Sequence, residues 1–351
     1  MNQIKVSVIM SVYNTGKYIR TAIESLQKQT LPDMEFLLID DGSTDDSGRI
    51  MDEYAKTDPR IRVIHKANGG LSHSRNLGVR EATGEYIGFC DPDDWFDPDM
   101  YQRFYDRAAE TKADVVVCGL NEVYEDTGKT FAVEYPFLGD SVCVGAQVRQ
   151  VYLANNIKGT LHSFAWNKLY RRSLLLERDI TSPEEMHLMQ DTVFAIRLFL
   201  AVDRAAYLDC RPYYFRRHGG SNSMKYRPDI FEIACRIHRE RMAALEPGGI
   251  CGQGIELDIG GWLMRQCVCA VLAEVSQNAP GDREQKIEKL KKIAQDETFC
   301  SVYDYMIAQN ADPGKITSLI RAGQYKKALS AAGRCAFKNK IKALIKKIIR
   351  K

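Results

Sequence analysis

Four carboxylates fall within the seven positions 91–97, in the stretch YIGFCDPDDWFDP, directly after a run of apolar residues. Two aspartates separated by one residue suit a hard divalent cation such as Mn2+ or Mg2+, which takes oxygen ligands and is commonly shared between protein carboxylates and substrate phosphates. A solvated acidic loop is the competing reading of the same residues. Three further polar segments each follow a short apolar run: SVYN at 11–14, DDGSTDD at 40–46 and HKANGGLSHSRN at 65–76. A carboxylate in such a place can accept a hydrogen bond from a nucleobase N–H, and glycine lets the backbone approach closely. Two glycines, several hydroxyls and Arg75 at a helix start suit a pyrophosphate. Each segment also has an ordinary reading, as a helix cap through Ser43 or Thr44, or as a glycine-rich loop with a surface arginine.

The elements that must hold these residues are legible as a pattern. Apolar runs at 6–10, 36–39, 61–64, 86–89 and 115–118 alternate with segments of helical spacing, such as Ile19, Ile23 and Leu26, or Leu77, Val79 and Ala82. That alternation predicts βαβ units and a mostly parallel sheet. In open α/β sheets ligands gather outside the carboxyl ends of the strands, so all four polar segments are expected along one edge. The pattern from about 120 to 225 is mixed, and from about 228 onward it reads as helices over 230–245, 257–275 and 283–294, followed by a basic tail.

Composition bounds the class. With 45% hydrophobic and 27% charged residues the chain is of globular type, and its net charge of +3 is too small to imply a nucleic acid partner. No apolar run reaches the roughly 20 residues a membrane span needs, and the N-terminus has no signal-peptide pattern, so a cytoplasmic location is expected. The ten cysteines are scattered without zinc or redox spacing, which predicts free thiols in a reducing compartment.

Taken in order, VSVIMSVYN, LLIDDGSTDDS, ANGGLSHSRNLG and IGFCDPDDWFDP resemble the family 2 glycosyltransferases of the GT-A fold, over roughly the first 110 residues and onward to about 225. The resemblance implies an α/β fold, a Rossmann-like, mostly parallel sheet flanked by helices. It divides the chain into a catalytic domain over 1–225, a helical region over 226–333 and a basic amphipathic tail over 334–351. It also implies inverting transfer of a single sugar from a UDP-sugar to an acceptor hydroxyl on a growing or lipid-linked surface glycan. Carried over by position, Ser11, Tyr13 and Asn14 line the base and ribose pocket, Asp40 or Asp41 contacts the uracil, and Arg75 holds the nucleotide. Asp91 and Asp93 form the DxD pair, with Asp93 the direct ligand of Mn2+ or Mg2+ and Asp94 completing the family's frequent DxDD form. Asp191 in MQDTVFAIRLFL is implied as the general base, with Gln190 standing where the family usually has glutamate. Trp166 and Lys168 in WNKLYRRSLL are implied at the border of donor or acceptor. Arg216, Arg217, His218 and Ser221 in YYFRRHGGSNS are implied in a loop that closes over the diphosphate, with His218 a further candidate metal ligand.

From the residues alone, Asp191 reads first as a helix N-terminal acid favoured by the dipole and His218 as a solvated side chain, while Trp166 is as readily a core residue. Two other functions stay open. A nucleotidyltransferase would carry a G-x-G-T-R-like loop where SVYNTGKY stands, and an inactive sugar-nucleotide-binding protein is hinted at by Gln190. The tail RCAFKNKIKALIKKIIRK sets Phe337, Ile341, Leu344, Ile345 and Ile348 on one apolar stripe among basic residues. Such a cationic amphipathic helix fits adsorption to the inner face of an anionic membrane; a helix packed on the domain with a solvated lysine face is the alternative.

Overall fold

The computed structural model describes residues 3–139, 142–218, 227–250, 252–276 and 279–349; the side chains of residue 253, residue 337 and everything from 339 onward are outside that description. The chain divides into two units, Met1–Ser221 with Glu246–Ile250, and Asn222–Leu245 with Cys251–Lys351. The nine cysteines described are all free. No described helix is long and apolar enough to cross a membrane.

In the first unit the strands are β1 (Val6–Val12), β2 (Met34–Asp40), β3 (Ile61–His65), β4 (Tyr86–Cys90), β5 (Trp95–Phe96), β6 (Val115–Cys118), β7 (Leu120–Tyr124), β8 (Thr130–Val133), β9 (Val142–Val144), β10 (Lys168–Arg171), β11 (Arg204–Leu208) and β12 (Tyr213–Arg217). Its helices are α1 (Ile19–Gln27), α2 (Ser47–Ala55), α3 (Leu71–Glu81), α4 (Met100–Thr111), α5 (Ala146–Val148), α6 (Ala154–Lys158), α7 (Arg172–Glu177) and α8 (Gln190–Ala201), with a π-turn at Arg149–Leu153. Eight strands form one sheet in the order β3, β2, β1, β4, β10, β6, β11, β9. The first four are mutually parallel, β10 runs antiparallel to both its neighbours, and β6 and β11 pair in parallel. β1, β4 and β6 are buried along their whole length, which is why they read as unbroken apolar runs rather than alternating ones.

A second sheet of β5, β12, β7 and β8 stands beside the first. Here the structure departs from the expected loop over 213–223, because residues 213–217 form β12, paired antiparallel with β5 and parallel with β7. Trp95 and Phe96 anchor the acidic loop: Trp95 stacks on Tyr214 at 5.4 Å, and Phe96 is buried.

Close packing sets α3 against β1. A Cβ on Gly78 would lie 2.4 Å from Ile9 Cγ2, so only glycine admits this approach. The helix start expected at Ser43 or Thr44 lies later, since the N-cap of α2 is Asp46 and makes no side-chain cap bond. Ser43 and Thr44 are used across the loop instead: Ser43 Oγ accepts from the Asn14 amide, and Thr44 N donates to Asn14 Oδ1.

The second unit is helical: α9 (Ile230–Ala243), α10 (Gln253–Glu274), α11 (Arg283–Gln295), α12 (Glu297–Ala308), α13 (Lys315–Arg321) and α14 (Tyr325–Ile349). Its core gathers Leu263, Cys267 and Val271 of α10 with Leu290, Phe299, Ile320 and Ala328. α11 opens on a capping box, Asp282 accepting from the Gln285 amide while Gln285 reaches back to the Asp282 amide. The basic tail is the second half of α14, whose first half packs through Ala328, Leu329 and Ala332.

Candidate active site

Arg75, one turn into α3, is the residue around which the site is assembled. Its side chain is 4% exposed. Nη1 donates to Asp191 Oδ1 at 2.5 Å and Nη2 to Asp91 Oδ1 at 3.2 Å, so one guanidinium joins the first aspartate of DPDD to a carboxylate 100 positions further on. Burial pulls against its charge, but Asp191 and then Asp91 hold its pKa above the ordinary arginine value. Asp191 stands in the first turn of α8, which the chain enters through Met189 in a left-handed conformation (φ 58°). The approach to that helix is fixed by Asn76 of α3, whose amide exchanges two 2.9 Å hydrogen bonds with the Ser182 backbone. Gln190 is buried beside it. The second oxygen of Asp191 has no hydrogen-bond partner among the described residues.

Asp91, Asp93 and Asp94 follow β4 and offer ligand atoms within 4.8 Å of one another. Enclosure pushes the Asp91 carboxyl up to about 6; Arg75 opposes that shift, while Asp93 and Asp191 add repulsion. Asp94 is buried and fully engaged, accepting from Tyr213 Oη at 2.7 Å and from the Arg216 amide at 2.8 Å. Its pKa is driven well above the carboxylate range by burial, then by Asp93 and Asp91. Asp94 therefore ties the acidic loop to β12, which leaves Asp91 and Asp93 as the carboxylates open to a ligand. His218 joins them, its Nε2 2.9 Å from Asp93 Oδ2. Crowded carboxylates beside one imidazole could hold a divalent cation.

At the ends of β1, β2 and β3 the nucleotide candidates divide into open and engaged groups. Tyr13 is 50% exposed and Ser11 Oγ is buried without a partner, as are the hydroxyls of Thr15, Ser72 and Ser74. Asn14, at φ 51°, spends its side-chain oxygen on the amides of Thr44 and Asp45, so it staples two loops. Asp40 accepts from the Ser43 amide and meets His65 Nδ1 at 2.8 Å. Asp41 accepts from the amides of Gly69 and Gly70 and from Lys66 Nζ.

The remaining candidates lie behind or beside the acidic loop. Trp166 is 2% exposed, stacked between Phe164 and Tyr213 at 4.6 and 4.0 Å, so it supports the site from the core. Lys168 is also buried, its Nζ donating to the carbonyls of His162 and Phe164 and to Asn167 Oδ1. Burial brings its pKa down to about 7, against the pull of nearby Asp191. Period-two alternation along β12 sends Arg216 and Arg217 to opposite sides. Arg216 lies over Trp95 at 4.7 Å and donates to the Asp93 carbonyl, whereas Arg217 pairs with Glu122 at 2.6 Å. Ser221 lies outside the described residues. Three functional positions escaped the sequence reading: Lys66, Asn76 and Glu122. Lys66 and Asn76 both lie inside the 65–76 segment already singled out and could have been found there; nothing local marks Glu122.

A family model described as Glycosyl transferase family 2 matches residues 7–178. The chain is 33% identical over 288 residues to the uncharacterized glycosyltransferase EpsJ of Bacillus subtilis (strain 168), covering 81% of this chain and 83% of that one. It is 35% identical over 243 residues to EpsH of the same strain, 69% of each chain. Among solved structures, residues 1–349 of S. aureus TarS in complex with UDP-GlcNAc superpose with a TM-score of 0.66 at 22% identity, over 95% of this chain and 92% of that one, which speaks for the GT-A fold alone.

Proposed function

From the premise that the chain belongs to the family 2 glycosyltransferases, we propose that it moves one sugar from a UDP-sugar to an acceptor hydroxyl on a growing or lipid-linked surface glycan, with inversion at the anomeric carbon. The observation that carries this reading is the bridge from Arg75 to Asp91 and Asp191, which places a carboxylate with a free oxygen beside an acidic pair.

In this reading Tyr13 offers an open ring to the base, with Ser11 beside it at the end of β1. Asp91 and Asp93, with His218, would hold Mn2+ or Mg2+, which when bound neutralises charge developing on the departing diphosphate. Asp191 takes the proton from the acceptor hydroxyl as its oxygen bonds to the anomeric carbon and the bond to the phosphate oxygen breaks, the electron pair leaving with UDP. Arg75 keeps that carboxylate oriented and, by its own charge, favours its ionised form. The stretch of α14 beyond residue 333 is read as a contact with the inner face of an anionic membrane.

Calorimetry with a panel of nucleotide-sugars, in Mn2+ or EDTA, on wild type and Asp93→Ala tests the donor site. Metal-dependent binding of one UDP-sugar, lost in the variant, is the expected result, and acceptor-stimulated UDP release then separates a transferase from an inactive binding protein. No binding to any nucleotide-sugar by folded protein sinks the reading.

A further inference from the structure

Five cations line one concavity of about 420 Å³ in the second unit: Arg283 at the start of α11, Lys315 at the start of α13, and Lys326, Lys327 and Arg334 on α14. Leu319 and Ser330 complete the lining, and no carboxylate does. All five cations are exposed, and none makes an ion pair among the described residues. Some basic residues of the same unit are paired, Lys289 with Glu274, Lys291 with Glu288 and Arg321 with Asp304. The concavity instead gathers five exposed cations around one space with no carboxylate in its lining.

Two physical features run against such a gathering unless an anion occupies it. Like charges that converge in a groove repel one another and raise the local potential. The first turn of α14 carries two lysines and no acid, the opposite of what the helix macrodipole favours. The charge also continues: from Lys326 a spacing of four runs through Ser330, Arg334, Lys338, Lys342 and Lys346 to Arg350. α14 is one continuous helix from Tyr325 to Ile349, so the groove and the basic tail are consecutive stretches of one element.

We propose that this concavity between α11, α13 and α14 is a phosphate site, and that its occupant is the headgroup of an anionic lipid in the membrane surface that the tail contacts. The inference rests on the membrane reading of the tail and extends it. Arg283 and Lys315 are contributed by helices outside the tail, so the folded unit, not only an appended helix, faces the bilayer. Each basic residue near such a surface contributes a roughly fivefold gain in partitioning, from about 1 kcal/mol apiece.

The test is co-sedimentation of the full chain with phosphatidylcholine vesicles, with and without phosphatidylglycerol. It compares wild type, a groove variant (Lys315→Glu, Lys326→Glu, Lys327→Glu) and a tail variant (Lys342→Glu, Lys346→Glu, Lys347→Glu). Circular dichroism and nucleotide-sugar binding report folding, and the groove variant is expected to match wild type in both. Wild type should bind only the anionic vesicles, and the groove variant should lose about a hundredfold in partitioning even with its tail intact. Loss in the tail variant alone leaves the tail reading standing and overturns the phosphate site. Absence of binding by wild type removes both. A last arm adds glycerol phosphate in solution: competition at high concentration fits a headgroup site, whereas tight binding of the free phosphate without vesicle binding rejects the lipid as occupant. Should the triple groove variant misfold, Lys326→Gln with Lys327→Gln, where about a 25-fold loss is expected, decides the matter.

Discussion

Arg75 in the first unit and Arg241 in the second are 3% and 4% exposed, and their surroundings could hardly differ more. Arg75 is clamped by two carboxylates and keeps its charge. Arg241, on α9, lies 4.2 Å above the Trp262 ring, with Nε and Nη1 lacking a hydrogen-bond partner among the described residues, and burial followed by Arg265 brings its pKa down to about 10. His238 on the same helix is also buried, with Nδ1 unpartnered. The first unit buries charge as a network, spanning α3, the DPDD loop and α8. The second buries isolated bases in an otherwise apolar helical core. A buried network constrains geometry at a cost in desolvation, which suits a site that must hold its groups in place. An isolated buried base constrains little and serves as packing surface.

Kinetics give the widest separation between the two. Asp191→Asn keeps the shape of the network but removes the proton acceptor, so kcat for transfer should fall by about a thousandfold, within the range of general-base catalysis, while UDP-sugar affinity moves little. Arg241→Met should leave both quantities unchanged. A loss in Asp191→Asn of less than about tenfold would remove the base assignment.

Stability gives the next. Arg75→Met strands two enclosed carboxylates, and removing one partner of a buried pair costs about 3–5 kcal/mol. Arg241→Met exchanges a half-satisfied guanidinium for an apolar chain and forfeits only a cation–π contact, so its effect should lie within about 1 kcal/mol of zero. Urea denaturation of both variants reads the difference. Equal losses would show that the first unit's network holds no more than ordinary packing does.

The same contrast explains what the sequence made legible. The candidate residues of the first unit lie at strand ends or in the segments that follow them, so the apolar runs at β1, β2, β3 and β4 pointed to the stretches that hold Ser11, Asp40, Arg75 and Asp91 without any knowledge of three-dimensional contacts. The bridge itself was not legible, because Arg75, Asp91 and Asp191 meet only when α3 and α8 approach the same strand ends. The second sheet was hidden for a local reason. β5 has two residues and β8 has an exposed or half-exposed pattern throughout, so neither shows the alternation that marks a strand. In the second unit α9, α10 and α11 were anticipated as separate helices, whereas α12 and α13 were covered only by the helical reading of 226–333, without ranges of their own. The groove cations were invisible as a group, because positions 283, 315 and 326 are far apart in the chain.

The smallest effect concerns pH and distinguishes the units by where each is sensitive. Lys168 has its pKa brought from 10.5 down to about 7 by burial. The unfolded chain therefore binds more protons than the folded one between about pH 7 and 10.5, and stability falls as pH falls through that window. His238 is brought from 6.5 down to about 4 by burial, with Arg239 and Arg241 adding repulsion, so its contribution is intact above pH 6.5 and lost between 6.5 and 4. Each slope is at most about 1.4 kcal/mol per pH unit, the smallest of the three effects when read over a single unit. Trp262 is the one tryptophan of the second unit, and Trp95 and Trp166 belong to the first, so fluorescence of Trp262→Phe against wild type assigns each transition to its unit. Lys168→Met should flatten the alkaline window alone and His238→Phe the acidic one alone. If His238→Phe altered the alkaline window instead, the isolated base would have to be coupled to the network, and the contrast between the two units would fail at that residue.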